Sequence, residues 1–327
     1  MKKRLAICDS DERYRQSMQT YLMKRLEDFE VLTFGSLQEA VDNSRQQAFT
    51  IFLLGEQLYE ASLSDIQALQ IFILRENGKK AILEYPYLEK YQSMESLIRD
   101  IWEGYAENCL MDSPVYRIKK KTRIHAFYSP GASKKQTLSA LALGQVLARR
   151  DKKVLYLNLQ AFAGWDEQFF EQVGADITDL LYVIGRQEGN LSYRIQGMKH
   201  TVSDMDYFSP AEDYMDLLKI SEVEWMTFLD RLLELGEYSD LILDLSEICQ
   251  GLYRMLEKSD GIYSLCGRTN PEKRAMEQYK RLLEKRELAS VLEKTKWLTP
   301  PQEDLERITG LERLSVTALG EYMRGLV

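Results

Sequence analysis

Histidine and cysteine, the residues that most often hold metals or attack substrates, are scarce in this 327-residue sequence. Its two histidines, His125 and His200, are too few for a His-based metal site or a Ser–His–Asp triad. The four cysteines are widely spaced: Cys8, Cys109, Cys249 and Cys266. With no C-x-x-C pair among them, buried reduced thiols are expected rather than disulfides or a zinc site. The sequence therefore predicts no metal site.

Long apolar runs are also missing. No stretch approaches the roughly 18 apolar residues of a spanning helix, and the apolar run near the N-terminus is too short for a signal peptide. A cytoplasmic location is therefore expected. The net charge of −8 disfavours nucleic acid and anionic lipid as partners, while 45% hydrophobic content is enough for two cores.

The first part of the chain alternates strand and helix patterns. Apolar runs predict five strands, at residues 5–8, 29–34, 49–54, 70–74 and 80–83. Helices are predicted at residues 11–25, from the S-x-x-E capping box at Ser36 and Glu39, and from about Ser93. This order predicts a compact parallel sheet covered on both sides, forming a first domain over residues 1–110.

A basic, proline-containing segment at 111–123 is predicted to be a linker, and the strand and helix pattern then restarts over residues 124–327. Its strands are expected at 124–128, 154–159, 241–245 and 261–266, and helices at 137–150, 221–235 and 271–285. The predicted fold class is α/β, with two doubly wound parallel-sheet domains. The ligand site of the second should lie at the carboxyl ends of its strands.

The loop at residues 129–136, between a strand and a helix, lies where backbone N–H groups and a helix N-terminus cradle phosphate. It reads S-P-G-A-S-K-K-Q and fails the G-x-x-x-x-G-K-[ST] pattern. Its surroundings at 125–160 nevertheless resemble the start of the MinD/ParA family of deviant Walker ATPases, and Y-S-D-L-I-L-D-L at 238–245 is similar to the family's Walker B strand. The resemblance implies a P-loop NTPase-like fold with a degenerate nucleotide site at Gly131, Ala132, Ser133, Lys134, Lys135, Gln136, Thr137 and Asp244.

The departures from the family pattern concern its charged and metal-binding positions. Lys135 falls on the P-loop lysine, but Gln136 falls on the threonine that binds Mg²⁺ and Pro130 on the intersubunit lysine. Asn158 and Gln160 fall on two aspartates, and an amide is no general base and offers magnesium no negative charge. The resemblance thus implies a pseudo-ATPase with no catalytic residue and no required cofactor. ATP stays open as a ligand because backbone amides alone can hold phosphate.

Alternative roles stay open for Asp244 and for the two lysines of the loop. Asp244 is either a retained Walker B carboxylate or a helix cap or sheet-end hydrogen-bonding residue. Lys134 and Lys135 are either an exposed loop pair or holders of an anion beside the helix N-terminus.

The first half resembles a response-regulator receiver. I-C-D-S-D-E at 7–12 is similar to the acidic cluster after the first receiver strand, and Y-P-Y at 85–87 is similar to the K-P-F turn without its lysine. Gly55 falls on the phosphoacceptor position, which implies that this domain is not phosphorylated. Asp9 and Asp11 are then predicted to be turn or capping residues rather than magnesium ligands.

A receiver-like domain before a MinD/ParA-like domain resembles the TadZ/CpaE group of pilus assembly proteins. This implies protein partners in a pilus or secretion complex, with a homodimer among the options, and recruitment to the cell pole or the inner face of the membrane. The leading hypothesis is a non-catalytic scaffold or localisation factor. The enzyme alternative is an active MinD/ParA-like ATPase, and the acidic balance disfavours a DNA-binding partition protein.

The C-terminal segment at 316–327 places Leu319, Met323 and Leu326 on one helical side. Packing against its own domain is favoured over a weak membrane tether, because one short helix anchors poorly.

Overall fold

The computed structural model describes residues 3–26, 29–76, 85–108, 121–130, 134–162, 175–186, 191–301 and 311–327. The predicted strand at 80–83 and most of the predicted linker lie outside these residues. The chain divides into two compact units, one comprising Met1–Ser113 with Gly189–Gly197 and the other Pro114–Glu188 with Met198–Val327. The predicted boundaries at 110 and 123 are not tested by this division and stay a prediction.

The first unit contains a five-stranded parallel sheet. Its strands are β1 (Lys3–Cys8), β2 (Phe29–Phe34), β3 (Phe49–Gly55), β4 (Ala68–Arg75) and β5 (Tyr87–Glu89). Their order in the sheet is β2-β1-β3-β4-β5, and each neighbouring pair is parallel. This is the flavodoxin-type order, as the predicted fold class requires.

Between residues 3 and 108, the described part of the chain contains three helices beside this sheet: α1 (Glu12–Arg25), α2 (Leu37–Gln46) and α3 (Met94–Asn108). Asp11 caps α1 by accepting from the backbone N–H groups of Arg13 and Tyr14, which confirms its predicted capping role. Ser36 caps α2, but the Glu39 carboxylate accepts from Gly35 N–H, so only half of the predicted capping box forms. Between β3 and β4 the chain makes short 3₁₀ segments instead of a full helix.

The second unit contains a seven-stranded sheet. Its strands are β6 (Arg123–Phe127), β7 (Val154–Leu159), β8 (His200–Val202), β9 (Met205–Tyr207), β10 (Asp240–Leu245), β11 (Gly261–Leu265) and β12 (Thr295–Leu298). They lie in the order β12-β11-β6-β10-β7-β9-β8, and only the β8–β9 pair is antiparallel. The predicted strands correspond to β6, β7, β10 and β11, and the three-residue β8 and β9 and the four-residue β12 were not predicted.

Nine helices belong to the later part of the described chain: α4 (Lys134–Ala148), α5 (Ile177–Arg186), α6 (Leu191–Met198), α7 (Tyr214–Lys219), α8 (Glu222–Leu235), α9 (Leu252–Lys258), α10 (Asn270–Lys285), α11 (Ala289–Lys294) and α12 (Ala318–Arg324). Helix α4 begins at Lys134, so the prediction that the loop extends to Gln136 is wrong. Lysine and glutamine are good helix formers, so the helix can begin before Thr137.

The C-terminal helix packs against its own domain. Leu319 and Met323 are fully buried in the cluster that also contains α4 and the central strands, and Leu326 packs partly buried against it. A Cβ at Gly320 would lie 2.4 Å from the backbone oxygen of Leu314, so this close approach requires glycine. The predicted packing role is therefore confirmed. Across the part of the chain that the structure describes, every helix is too short or too polar to cross a bilayer.

Candidate functional site

The candidate site lies at the carboxyl ends of β6, β7 and β10, beside the first turn of α4. Because side chains alternate along a strand, Tyr156, Asn158 and Gln160 project toward one face of β7 and its extension. Asn158 is paired in register with Asp244 on β10. The topology therefore brings together the predicted site residues of the two strands and the helix.

Asp244 is the centre of a buried hydrogen-bond network. Its side chain is completely buried and accepts from four side chains. The donors are Gln136 Nε2 at 2.7 Å, Thr137 Oγ1 at 2.6 Å, Tyr156 OH at 3.0 Å and Gln160 Nε2 at 2.9 Å. Asp244 is thus a hydrogen-bonding residue of the sheet end, held by two predicted site residues of α4 and one that follows β7.

The two glutamines tie the network to the main chain. Gln136 Nε2 also donates to the carbonyl oxygens of Phe127, at 3.2 Å, and Leu245, at 2.9 Å. Gln160 Nε2 donates to the same Leu245 oxygen at 2.8 Å. Gln136 therefore joins α4 to the ends of β6 and β10, and Gln160 joins the end of β7 to that of β10.

Tyr156 is a member of the network that the sequence analysis missed. Asn158 Nδ2 donates to Tyr156 OH at 3.0 Å, and Asn158 Oδ1 accepts from the backbone N–H of Gln160 at 3.0 Å. Tyr156 itself is fully buried. The only sequence signal was its spacing, two and four residues before Asn158 and Gln160 on an apolar strand.

The network holds a carboxylate that is buried away from water. Burial raises the pKa of Asp244, and the hydrogen bonds from Thr137, Gln136, Gln160 and Tyr156 oppose that rise without cancelling it. Burial and the nearby Asp244 charge raise the pKa of Tyr156 well above its ordinary value. Every side-chain donor to Asp244 is a neutral group, so hydrogen bonds alone offset the desolvation of its charge.

These residues do not fit a magnesium ion. Mg²⁺ requires oxygen ligands in near-octahedral geometry. Here amide nitrogen atoms and hydroxyl groups already donate to both carboxylate oxygens of Asp244. The side chain of Gln136, at the Mg²⁺-binding position of the family pattern, directs its Nε2 donor to Asp244, and its Oε1 is buried with no hydrogen-bond partner among the described residues. No chemical step through a metal is therefore derived for this site.

The phosphate-facing part of the predicted site is described only in part. Residues 131–133 lie outside the described residues, and Lys134 is the first residue of α4. Lys135 is half-buried. Its charge contributes the smallest of several effects that lower the pKa of Glu272, of which the hydrogen bond from Thr269 N–H is the largest.

A second polar cluster lies in the first unit, at the carboxyl ends of β1, β4 and β5. Lys90 Nζ lies 2.9 Å from Asp9 Oδ2 and donates to Glu76 Oε1 at 2.6 Å. Lys90 and Asp9 are both almost completely buried. Burial disfavours the Lys90 ammonium, but hydrogen bonds to Glu76 and Asp9 outweigh it and raise its pKa. Asp9 also accepts from Asp11 N–H at 2.8 Å, which is a turn interaction of the predicted kind.

Gly55 and Lys90 both lie against Asp9 at this edge of the first sheet. A Cβ at Gly55 would lie 2.4 Å from Asp9 Oδ2, so the Asp9 side chain fills the space that a larger residue would need. The turn at 85–87 was predicted to lack the lysine of the K-P-F pattern, and that resemblance stays a prediction. The structure places a lysine nearby, because Lys90 directly follows β5 and pairs with Asp9.

The second unit is an α/β domain whose central strands and helix α4 are arranged as in a P-loop NTPase-like fold. No protein-family model matches the sequence, and no curated protein matches it. Among solved structures, the chain is similar to a ParA family ATPase from Chlorobium tepidum TLS, with 14% identity, a TM-score of 0.50, and coverage of 63% of this chain and 98% of that one. The ParA/MinD type of P-loop fold is therefore present in this chain.

Two further solved structures match the chain with lower TM-scores. A putative plasmid partition protein from Borrelia burgdorferi B31, bound to AMPPNP, is 14% identical with a TM-score of 0.44, covering 64% of this chain and 100% of its own. The MinC:MinD cell division complex of Aquifex aeolicus is 13% identical with a TM-score of 0.42, and the match covers 62% of this chain and 78% of that chain.

Proposed function

We propose that this chain is a non-catalytic scaffold or localisation factor that works through protein contacts, built on a P-loop ATPase fold whose metal chemistry has been lost. The observation that supports the proposal best is the saturation of Asp244. Four protein side chains donate to its carboxylate. Two of them are Gln136, at the Mg²⁺-binding position of the family pattern, and Gln160, at one of its two aspartate positions.

The network gives the proposal a physical mechanism. Phosphoryl transfer depends on positioning and on neutralising the charge of the transferred group. In this site the strand ends and α4 are already joined by the amides of Gln136 and Gln160. We therefore infer a single, internally bonded conformation at this edge, suited to a constant binding surface rather than to a nucleotide switch.

The pairing of the two units supports a place in a pilus or secretion assembly. The first sheet has the flavodoxin-type order that a receiver-like domain requires, and it precedes a ParA/MinD-type domain. By resemblance to the TadZ/CpaE group, we propose recruitment to the cell pole or the inner face of the membrane through partner proteins. The proposed domain limits are 1–110 and 124–327, with 111–123 as the linker.

The second candidate is an active ATPase with nucleotide-dependent dimerisation. Lys135 and Asp244 are retained, and a structure of similar fold holds AMPPNP. In this candidate, ATP would bind beside α4 and its turnover would need Lys135.

The test is a nucleotide assay with a matched variant. Purified full-length protein is incubated with ATP, with and without Mg²⁺, and released phosphate is measured beside Lys135→Ala. The scaffold proposal predicts identical background release from both proteins. Magnesium-dependent release that Lys135→Ala abolishes would instead establish the ATPase candidate.

A further inference from the structure

A buried ammonium group lies between two carboxylates at the carboxyl ends of β1, β4 and β5 in the first unit. Lys90 Nζ donates to Asp9 Oδ1 at 3.0 Å, lies 2.9 Å from Asp9 Oδ2 and donates to Glu76 Oε1 at 2.6 Å. The exposed fraction is 2% for the Lys90 side chain, 1% for Asp9 and 23% for Glu76. Lysine is almost never fully buried unless it is paired, so the ammonium is held by these two carboxylates. We name Asp9, Glu76 and Lys90 the Lys90 cluster.

The contacts of Lys90 Nζ are those of a bound cation. Three carboxylate oxygens from two chain segments converge on it within 3.0 Å. Asp9 Oδ2 accepts no hydrogen bond among the described residues, so the nearby ammonium charge is what stabilises that oxygen. Mg²⁺ and Ca²⁺ are bound by carboxylate oxygens that converge in this way. Lys90 Nζ therefore lies where a divalent cation would lie if these carboxylates held one.

The groups around the Lys90 cluster fix both the ammonium and one of its partners. Lys90 Nζ lies 4.8 Å from the ring centroid of Tyr14 and 5.6 Å from that of Tyr91, in the range of a cation–π interaction. Tyr91 OH donates to Glu76 Oε1 at 3.3 Å, and Gln57 Nε2 donates to Glu76 Oε2 at 2.8 Å. These contacts direct the Glu76 carboxylate at Lys90 and place two tyrosine rings beside the ammonium.

The ammonium keeps its charge at neutral pH. Burial alone would lower the pKa of Lys90, but hydrogen bonds to Glu76 and Asp9 outweigh burial and raise it. The hydrogen bond from Lys90 is also the largest of the effects that lower the pKa of Glu76. Because this cation is covalently attached to the chain, a chelator or a change in metal concentration does not remove it.

A divalent cation and the ammonium cannot share this position. A metal ion in contact with the same oxygens would lie within about 5 Å of Lys90 Nζ, where two positive charges repel strongly in a buried site. The lysine would have to leave its buried position before a metal ion could enter. Competition between the two cations is therefore expected rather than joint binding.

We infer that Lys90 is the resident cation of this cluster and takes the place of a divalent metal ion, so that the unchanged protein binds no such ion at Asp9 and Glu76. The ammonium holds the ends of β1, β4 and β5 in one arrangement that does not depend on metal supply. Removal of the ammonium should turn the same carboxylates into a site for a hard cation such as Mg²⁺, Ca²⁺ or a lanthanide. The inference goes beyond the proposed function, because it concerns the first unit and not the Asp244 network.

The first experiment replaces the ammonium by a metal ion in the full-length protein. The probe is Tb³⁺, which prefers oxygen ligands as Ca²⁺ does and emits when nearby tyrosine rings are excited. Lys90→Met should bind Tb³⁺ at least about tenfold more tightly than the unchanged protein, with emission excited through Tyr14 and Tyr91. Excess Ca²⁺ should displace the Tb³⁺.

Matched variants locate the bound Tb³⁺. Lys90→Met combined with Asp9→Asn should return the affinity and the emission to the level of the unchanged protein, because the charged ligand is lost. Lys219→Met, which removes a lysine from the exposed pair with Asp216, should also stay at that level. Far-UV circular dichroism identifies the variants that are folded.

A second experiment uses the unchanged protein and needs no destabilising variant. In protein that carries isotopically labelled lysine, a buried ammonium exchanges its protons slowly enough to give an NMR signal. Lys90→Arg, which keeps a cation in the cluster, assigns the signal by its absence. Millimolar Mn²⁺ should leave the Lys90 signal sharp, because a paramagnetic ion held by Asp9 and Glu76 would broaden it beyond detection.

Each of three results would overturn the inference. These are a folded Lys90→Met that binds Tb³⁺ no better than the unchanged protein, Tb³⁺ emission that Asp9→Asn does not reduce, and selective broadening of the Lys90 signal by Mn²⁺. If Lys90→Met does not fold, the Mn²⁺ result decides alone. These measurements involve no ATP, so magnesium-dependent phosphate release would refute the proposed function and leave this inference standing.

Discussion

At the carboxyl edge of the first sheet the buried Asp9 faces the ammonium of Lys90, whereas at the same edge of the second sheet the buried Asp244 faces only neutral donors. In the first case a charge is matched by a charge. In the second, amide, hydroxyl and phenol groups share one carboxylate. In both sheets, the protein's own side chains pair with a buried carboxylate at the carboxyl edge, once through an ion pair and once through neutral hydrogen bonds. The two arrangements should respond differently to substitution.

The largest effect is expected from breaking the ion pair. Lys90→Met leaves Asp9 buried without its cation, and loss of one partner of a buried pair costs about 3–5 kcal/mol. The free energy of unfolding, measured by urea denaturation of the full-length protein, should fall by that amount. The control is Lys219→Met, which breaks the exposed pair with Asp216 and should change stability by no more than about 0.5 kcal/mol. Equal effects from the two variants would mean that the buried pair is not a stabilising unit.

A smaller effect is expected from restoring an acidic residue in the second network. Gln160→Asp removes an amide donor and puts a second carboxylate near Asp244, so the protein should lose about 1–3 kcal/mol of stability. Millimolar Mg²⁺ should return part of that loss in the variant and have no effect on the unchanged protein. A variant that is as stable as the unchanged protein without Mg²⁺ would show that the Gln160 bond contributes nothing.

The pH dependence of stability should distinguish two carboxylates of β10. Burial favours a raised pKa for Asp240, but hydrogen bonds from His125 and Ser239 and the Arg123 charge lower it overall. Its stabilising contribution is therefore full above the unfolded value of about 3.9 and is lost as pH falls through the lower folded value. The pKa of Asp244 is raised, so its contribution is full below about 3.9 and is lost as pH rises through the folded value.

Asp240→Asn and Asp244→Asn should accordingly change the pH profile in opposite directions. The stability lost in Asp240→Asn should shrink as pH falls, and that lost in Asp244→Asn should shrink as pH rises. Each change is limited to about 1.4 kcal/mol per pH unit, because one proton is involved. Urea unfolding at a series of pH values from acid to neutral measures both. Parallel profiles would contradict the assigned environments.

The sequence predicted the long, strongly patterned elements well. The predicted helix from about Ser93 forms as α3 and buries Leu97, Ile101 and Trp102, and the predicted helix at 221–235 forms as α8 and buries Trp225, because an apolar face at helical spacing has few other solutions. Strands of three or four residues, such as β5 and β8, carry too little pattern to be found.

The sequence identified residues of the candidate site but not the hydrogen bonds that join them. Aligning the chain with a family pattern identified Gln136, Gln160 and Asp244. It could not show that two amides donate to one carboxylate, because that depends on how three chain segments meet. Lys90 was missed for the same reason, since its position follows from β5, which the sequence did not reveal.

The most direct test of the central claim is the thermal and chemical stability of the full-length protein with and without Mg·ATP. A ligand present at a hundred times its Kd would add about 2.7 kcal/mol to the free energy of unfolding. A saturated Asp244 network predicts no magnesium-dependent increase in stability and no phosphate release. A magnesium-dependent increase that disappears in Lys135→Ala, accompanied by phosphate release, would contradict the account.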